Sequence, residues 1–148
     1  MNKFEKVLKE TIEINRENCK SNDNWISNVN LITNDIDDAE VILNSVCKQY
    51  NVELIIVDLK NNEECKIPLV ELFDKLNNSN AILYLKNYTN VEPKLRYRFS
   101  NIYKECCATN KYGVVERNDL KYLGSVLISE EQPKYRLDNS ETSCFRLV

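Results

Sequence analysis

The side chains best placed for chemistry in this chain are carboxylates. Asp35, Asp37, Asp38 and Glu40 crowd the stretch Asn34-Asp35-Ile36-Asp37-Asp38-Ala39-Glu40, and Asp58 closes a later apolar run. Clustered acids can hold a divalent cation through their oxygens, which makes Asp35, Asp37, Asp38 and Asp58 the candidate metal ligands. The same residues have a commoner use. An acid just before a helix accepts hydrogen bonds from the first N–H groups and meets the positive end of the helix dipole. Asp37 with Glu40 three residues on has the spacing of a capping box. Capping and solvated loop acids are therefore the expected roles, with no metal and no cofactor.

Other chemistry is thin. The chain has no histidine, which removes both a Ser-His-Asp arrangement and a mixed-ligand zinc site. Its six cysteines (Cys19, Cys47, Cys65, Cys106, Cys107, Cys144) form no C-x-x-C pair and are expected to be reduced thiols acting as small hydrophobes. The adjacent Cys106-Cys107 is the redox candidate. No catalytic residue stands out, and enzymatic activity is not expected.

Two surfaces invite a binding role. Lys94, Arg96, Arg98 and Lys104, with Tyr97 and Tyr103 interleaved, resemble the basic-aromatic pattern that holds single-stranded nucleic acid. Glu92 and Glu105 dilute it, and a net charge of −3 with a pI near 5.2 gives no general attraction for polyanions. Phe4, Val7, Leu8 and Ile12 lie at helical spacing; they could dock a partner or pack on the chain's own sheet. No run approaches the roughly 20 apolar residues of a membrane span, and Met1-Asn2-Lys3-Phe4-Glu5 lacks a signal-peptide core. The expected location is the cytoplasm.

These residues sit on an alternating framework. Residues 3–17 predict an amphipathic helix and 29–33 a short buried strand. Ala39, Ile42, Leu43, Val46, Cys47 and Tyr50 fall on one face of a helix over 38–51. Val52 to Leu59 and Ala81 to Leu85 are apolar runs of the kind found in strands covered on both faces. Pro68 opens a helix carrying Leu69, Leu72, Phe73 and Leu76; Pro93 opens another with Leu95, Phe99, Ile102, Tyr103 and Cys106 inward. Gly113 marks a turn, 125–128 a fourth strand and 144–148 a fifth. Strands alternating with helices predict an α/β three-layer sandwich, a mainly parallel sheet of about five strands, in one domain over 1–148 with residues 1–24 as an N-terminal helical extension.

Taken in order, residues 25–148 resemble the P-loop-type core of an AAA+ ATPase, in particular the MoxR-like members. Val29 to Thr33 stands where the Walker A strand would be, Leu83-Tyr84-Leu85-Lys86-Asn87 resembles the Walker B run, and Gly124 to Ser129 is similar to the sensor-1 strand. Glu130 to Val148, with Leu137-Asp138 and Ser143-Cys144-Phe145, resembles the segment that follows. The resemblance implies a strand order 5-1-4-3-2. It also implies functional stations, and each holds the wrong residue. The Walker A lysine position falls on Ala39 or Glu40, in a loop with neither glycine nor lysine. The Walker B acids fall on Lys86 and Asn87, sensor 1 on Ser129, and the arginine finger on Cys144, two residues before Arg146. The family's helical lid would begin after Val148. A phosphate cradle needs inward N–H groups and a cation; four carboxylates oppose it. The expectation is a degenerate, non-catalytic AAA-like module that regulates or inhibits by binding another protein, an AAA+ ATPase or a copy of itself. The alternatives are a nucleic-acid-binding accessory protein, or a Mg²⁺-dependent phosphorelay domain in which Val52 to Leu59 resembles the phosphoacceptor strand of a receiver.

Overall fold

Residues 2–21, 25–105, 108–109, 115–116 and 120–148 are described in the computed structural model. Among them the chain runs α1 (Asn2–Lys20), β1 (Val29–Ile32), α2 (Ile36–Gln49), β2 (Glu53–Asp58), α3 (Asn62–Cys65), α4 (Leu69–Leu76), β3 (Ala81–Lys86), α5 (Pro93–Arg96), α6 (Ser100–Glu105), β4 (Ala108–Thr109), β5 (Val115–Glu116), β6 (Ser125–Ser129), α7 (Asn139–Thr142) and β7 (Arg146–Leu147). β4 and β5 pair antiparallel with each other. The other five strands form one all-parallel sheet in the order β2-β3-β6-β1-β7. Counted within that sheet alone, the order is 5-1-4-3-2.

A parallel sheet needs cover on both faces, and strand alternation divides the side chains accordingly. Val29 and Leu31 of β1, Ile82 and Tyr84 of β3, and Val126 and Ile128 of β6 join Phe4, Val7, Leu8 and Ile12 of α1 and Leu43 and Val46 of α2 in one buried cluster. Leu83, Leu85 and Leu127 face the other way, onto Leu72, Phe73 and Leu76 of α4 and Phe99, Ile102 and Tyr103 near α6. The result is a three-layer α/β/α sandwich with the N-terminal helix packed on the α2 face. α1 runs slightly beyond residues 3–17 at both ends, and a polar group anchors it to the chain that follows. Asn15, fully buried, donates from Nδ2 to the carbonyls of Ser27 (2.9 Å) and Leu123 (2.8 Å) and accepts from Ser27 N. Beside it Gly124 has φ +103°, and a Cβ there would meet Ser27 O at 2.4 Å and Asn15 Nδ2 at 2.7 Å. Glycine is required by both the backbone conformation and the close approach.

Three local expectations need correction. β2 is an edge strand in which Leu54 and Ile55 are half-buried and Ile56 is exposed, so Val52 to Leu59 is not covered on both faces. α2 begins at Ile36 with Asp35 as its cap, accepting from Asp38 N at 3.2 Å, so Asp37 lies inside the first turn. The helix after Pro93 is not continuous. It passes through a 3₁₀ turn at Tyr97–Phe99 between α5 and α6. Leu95 is exposed and Arg96 is fully buried in its place, while Phe99, Ile102 and Tyr103 face inward as the apolar spacing predicts. Cys106, Cys107 and Gly113 lie outside the described residues.

Candidate functional site

The loop after β1 is held by its own side chains. Thr33 N donates to Ser129 O at 2.8 Å, continuing the β1–β6 register past the strand end. Asp35 N donates to Thr33 Oγ1 at 3.1 Å. Asp35 also occupies the helix N-terminus, the place where an anion's oxygens would sit. Ala39 is buried under α2, which leaves Glu40 to point toward the sheet edge. There the Tyr84 hydroxyl donates to Glu40 Oε2 at 2.9 Å, and Lys86 Nζ lies 3.3 Å from the same oxygen. Burial raises the Tyr84 hydroxyl pKa well above its ordinary value, and the hydrogen bond and charge of Glu40 raise it further.

The charges are transposed relative to a nucleotide site. A Mg²⁺–triphosphate needs the cation on the helix after β1 and the carboxylate at the end of β3. Here the helix supplies Glu40 and the strand supplies Lys86, and the two neutralise each other. Asn87, the residue after Lys86, adopts a left-handed backbone (φ 61°) and donates from Nδ2 to Asp58 Oδ1 at 2.8 Å.

Asp58 is not part of the acid cluster after β1. Its Oδ1 also accepts from Lys60 N at 3.0 Å, closing the turn after β2. β2 and β1 are separated by β3 and β6, three strand spacings of roughly 4.8 Å, or about 14 Å in all. Asp35, Asp37 and Asp38 therefore lie together while Asp58 stands apart, and a receiver-type cluster is not assembled. No group of three or more Cys, Asp or Glu among the described residues is placed to hold a metal ion.

The remaining candidates are absorbed by the fold. Phe4, Val7 and Leu8 are buried against the chain's own sheet and are not offered to a partner. Of the basic set, Lys94 is exposed. Arg98 is half-buried and donates to the carbonyls of Cys65 and Ile67 (the latter at 2.7 Å). Arg96, with no exposed surface, makes a bidentate contact to Glu141 (Nε–Oε2 2.8 Å, Nη2–Oε1 2.7 Å) and donates to the carbonyls of Tyr135 (2.9 Å) and Arg136 (2.7 Å). Burial by itself would lower the Arg96 pKa, but the hydrogen bonds and charge of Glu141 outweigh it and hold the guanidinium above its ordinary value. Lys104 is exposed, with Nζ donating to Ser140 Oγ at 2.6 Å. No continuous basic stripe forms, because backbone carbonyls and a buried acid take two of its four cations. Cys47 is buried and its thiol is pushed up to about 11 by desolvation, as befits an inert apolar side chain.

Sequence reasoning missed two features. One is the Arg96–Glu141 pair, signalled by Asp138-Asn139-Ser140-Glu141: Asp138 accepts from Glu141 N (2.7 Å) while Glu141 accepts from Asp138 N (3.0 Å), a capping box at α7. The other is the row of buried polar residues on one face of β1 and β6. Asn28 accepts from Ser125 N at 2.8 Å and donates to the carbonyls of Tyr103 and Cys144, and Asn30 accepts from Ser129 Oγ at 2.8 Å. The alternation Asn28-Val29-Asn30-Leu31 carried that signal.

Fold and site together define a class: an α/β protein with a five-stranded parallel sheet in the order 5-1-4-3-2 and an acidic loop where such sheets bind ligands. No protein-family model matches the chain, and no curated protein matches it. Among the described residues no helix is long and apolar enough to cross a membrane.

Proposed function

We propose that this chain is a non-catalytic AAA-like module that acts in the cytoplasm by binding another protein, an AAA+ ATPase or a second copy of itself, and has no ATPase activity. The observation that carries the reading is the Glu40–Lys86 pair, in which the two charges a nucleotide site requires have exchanged places. Strand order supports it as well, since 5-1-4-3-2 is the order the resemblance implies. A nucleotide tail depends on several charge-assisted hydrogen bonds, each contributing about 1.5–3 kcal/mol. At this site the tail would meet Asp35, Asp37 and Asp38 instead. What remains useful is shape: a sheet-and-helix body able to sit beside an ATPase subunit without firing.

Calorimetric titration with Mg-ATP and Mg-ADP at millimolar concentration is expected to give no saturable heat. Saturable binding that is lost on Asp38→Ala would overturn the non-catalytic reading. For the partner, affinity purification from the source cell followed by gel filtration should yield a stoichiometric complex with an ATPase or a discrete homo-oligomer; a monomer at every concentration, with no co-purifying ATPase, would overturn the interaction reading.

A further inference from the structure

The connections leaving β1 and β6 depart in opposite directions. From β1 the chain crosses through α2 to β2, and from β6 it crosses the other way through α7 to β7. In open α/β sheets, neighbouring strands of this kind leave a crevice outside their carboxyl ends. A cavity of about 330 Å³ lies there, on the face of the sheet opposite α2. That volume is at the lower end of the roughly 300–1,000 Å³ range of small-molecule sites.

Its floor holds polar groups with hydrogen-bonding capacity left over. Asn30 is 5% exposed; its Oδ1 accepts from Ser129, and its Nδ2 has no partner among the described residues. The Thr89 hydroxyl, on a residue only 2% exposed, also has none. Neither atom is sealed off, so both open on the cavity they line. The walls are apolar: Ile32, Pro133, Leu137 and Leu147. The same lining carries the exposed residues Glu130, Glu131 and Arg136, which form no ion pair with each other or with any described residue. Buried donors, apolar side chains and exposed charges of both signs on one lining describe a complementary molecule with an apolar body and two opposite charges.

We propose that this cavity binds a small zwitterion of the apolar α-amino-acid class, its carboxylate held by Arg136 with the Asn30 amide and Thr89 hydroxyl, its ammonium by Glu130 or Glu131. The aliphatic body lies on Leu137 and Leu147. This does not rest on the partner-binding reading; a chain that binds no protein could still bind the ligand, and the reverse.

The test is titration of the full chain with L-leucine and L-phenylalanine, followed by calorimetry and by backbone amide shifts. Saturable binding at millimolar or lower concentration is expected, with shifts at Asn30, Thr89 and Ser129. L-leucinamide, which lacks the carboxylate, and 4-methylpentanoate, which lacks the ammonium, should bind at least about tenfold more weakly. Arg136→Gln, at an exposed side chain, should weaken L-leucine by about tenfold without altering the fold; Thr89→Val tests the floor. No saturable binding of either amino acid, binding of either analogue as tight as that of L-leucine, or unchanged affinity in Arg136→Gln would each overturn the proposal.

Discussion

Two ion pairs stand at opposite extremes of this molecule. Glu40 and Lys86, 22% and 38% exposed, meet through one oxygen at 3.3 Å at the end of the sheet. Arg96 and Glu141, 0% and 3% exposed, meet through two hydrogen bonds and tie α5 to α7. The first pair is half-buried but still reaches solvent, so screening and side-chain entropy leave about 1 kcal/mol. The second has lost its hydration, so each charge depends on the other. The difference teaches where this sequence is constrained. Losing one charge of the Glu40–Lys86 pair is expected to have little effect on folding. The latch that fixes the C-terminal segment cannot lose either member.

The sharpest way to break this contrast is Glu141→Leu, which strands the Arg96 guanidinium inside the protein and removes the capping box of α7. A loss of about 3–5 kcal/mol is expected in chemical denaturation. Pairing it with Arg96→Met should recover most of that loss, because the desolvation penalty disappears with the charge. If the single and double variants are equally destabilised, the pair is not the source of the effect. Tyr84→Phe is the next largest. It deletes a buried hydroxyl whose acceptor, Glu40, keeps Lys86 and solvent, so about 1 kcal/mol is expected by the same measurement. A loss as large as that of Glu141→Leu would erase the distinction between the two regions.

Much of the fold was legible because it depends on period and burial alone. The apolar runs Val52 to Leu59 and Ala81 to Leu85 and the stripe Ala39, Leu43, Val46, Cys47 mark strands and a helix without reference to anything distant. The five-strand parallel sheet follows from their alternation with helices. Arg96 was not legible in the same way. Its position on the helix after Pro93 reads as solvent-facing until Glu141, 45 residues on, is known to lie against it. The asparagines of β1 were likewise obscured in an asparagine-rich chain, since burial of an amide depends on partners such as Ser125 and Ser129 on a strand almost 100 residues away. The acids around Asp35 were legible as a cluster, but the separation of Asp58 from them follows from strand order, which local pattern does not set.

The half-buried pair can be tested at the opposite end of the scale. Glu40→Gln should change stability by less than about 1 kcal/mol, with the difference shrinking further as salt is added. A salt-independent loss of several kcal/mol would mean that Glu40 is held as tightly as Glu141.

The smallest expected effect concerns the rim of the latch. The Tyr97 hydroxyl donates to Asp138 Oδ2 at 2.6 Å, and this bond, with the backbone N–H of Glu141, lowers the Asp138 pKa from its ordinary value. A carboxylate whose pKa is depressed by folding adds stability above the unfolded pKa, and that stability is lost as pH falls through the folded value. Tyr97→Phe moves the folded pKa back toward the unfolded one. The variant should therefore be slightly less stable near neutrality, and the gap should close as pH falls through the depressed folded pKa, below which Asp138 is protonated in both states. Denaturation midpoints followed from neutral to acid pH measure this directly; a gap that persists or widens in acid would show that the hydroxyl acts through packing on Arg96 rather than through the Asp138 charge.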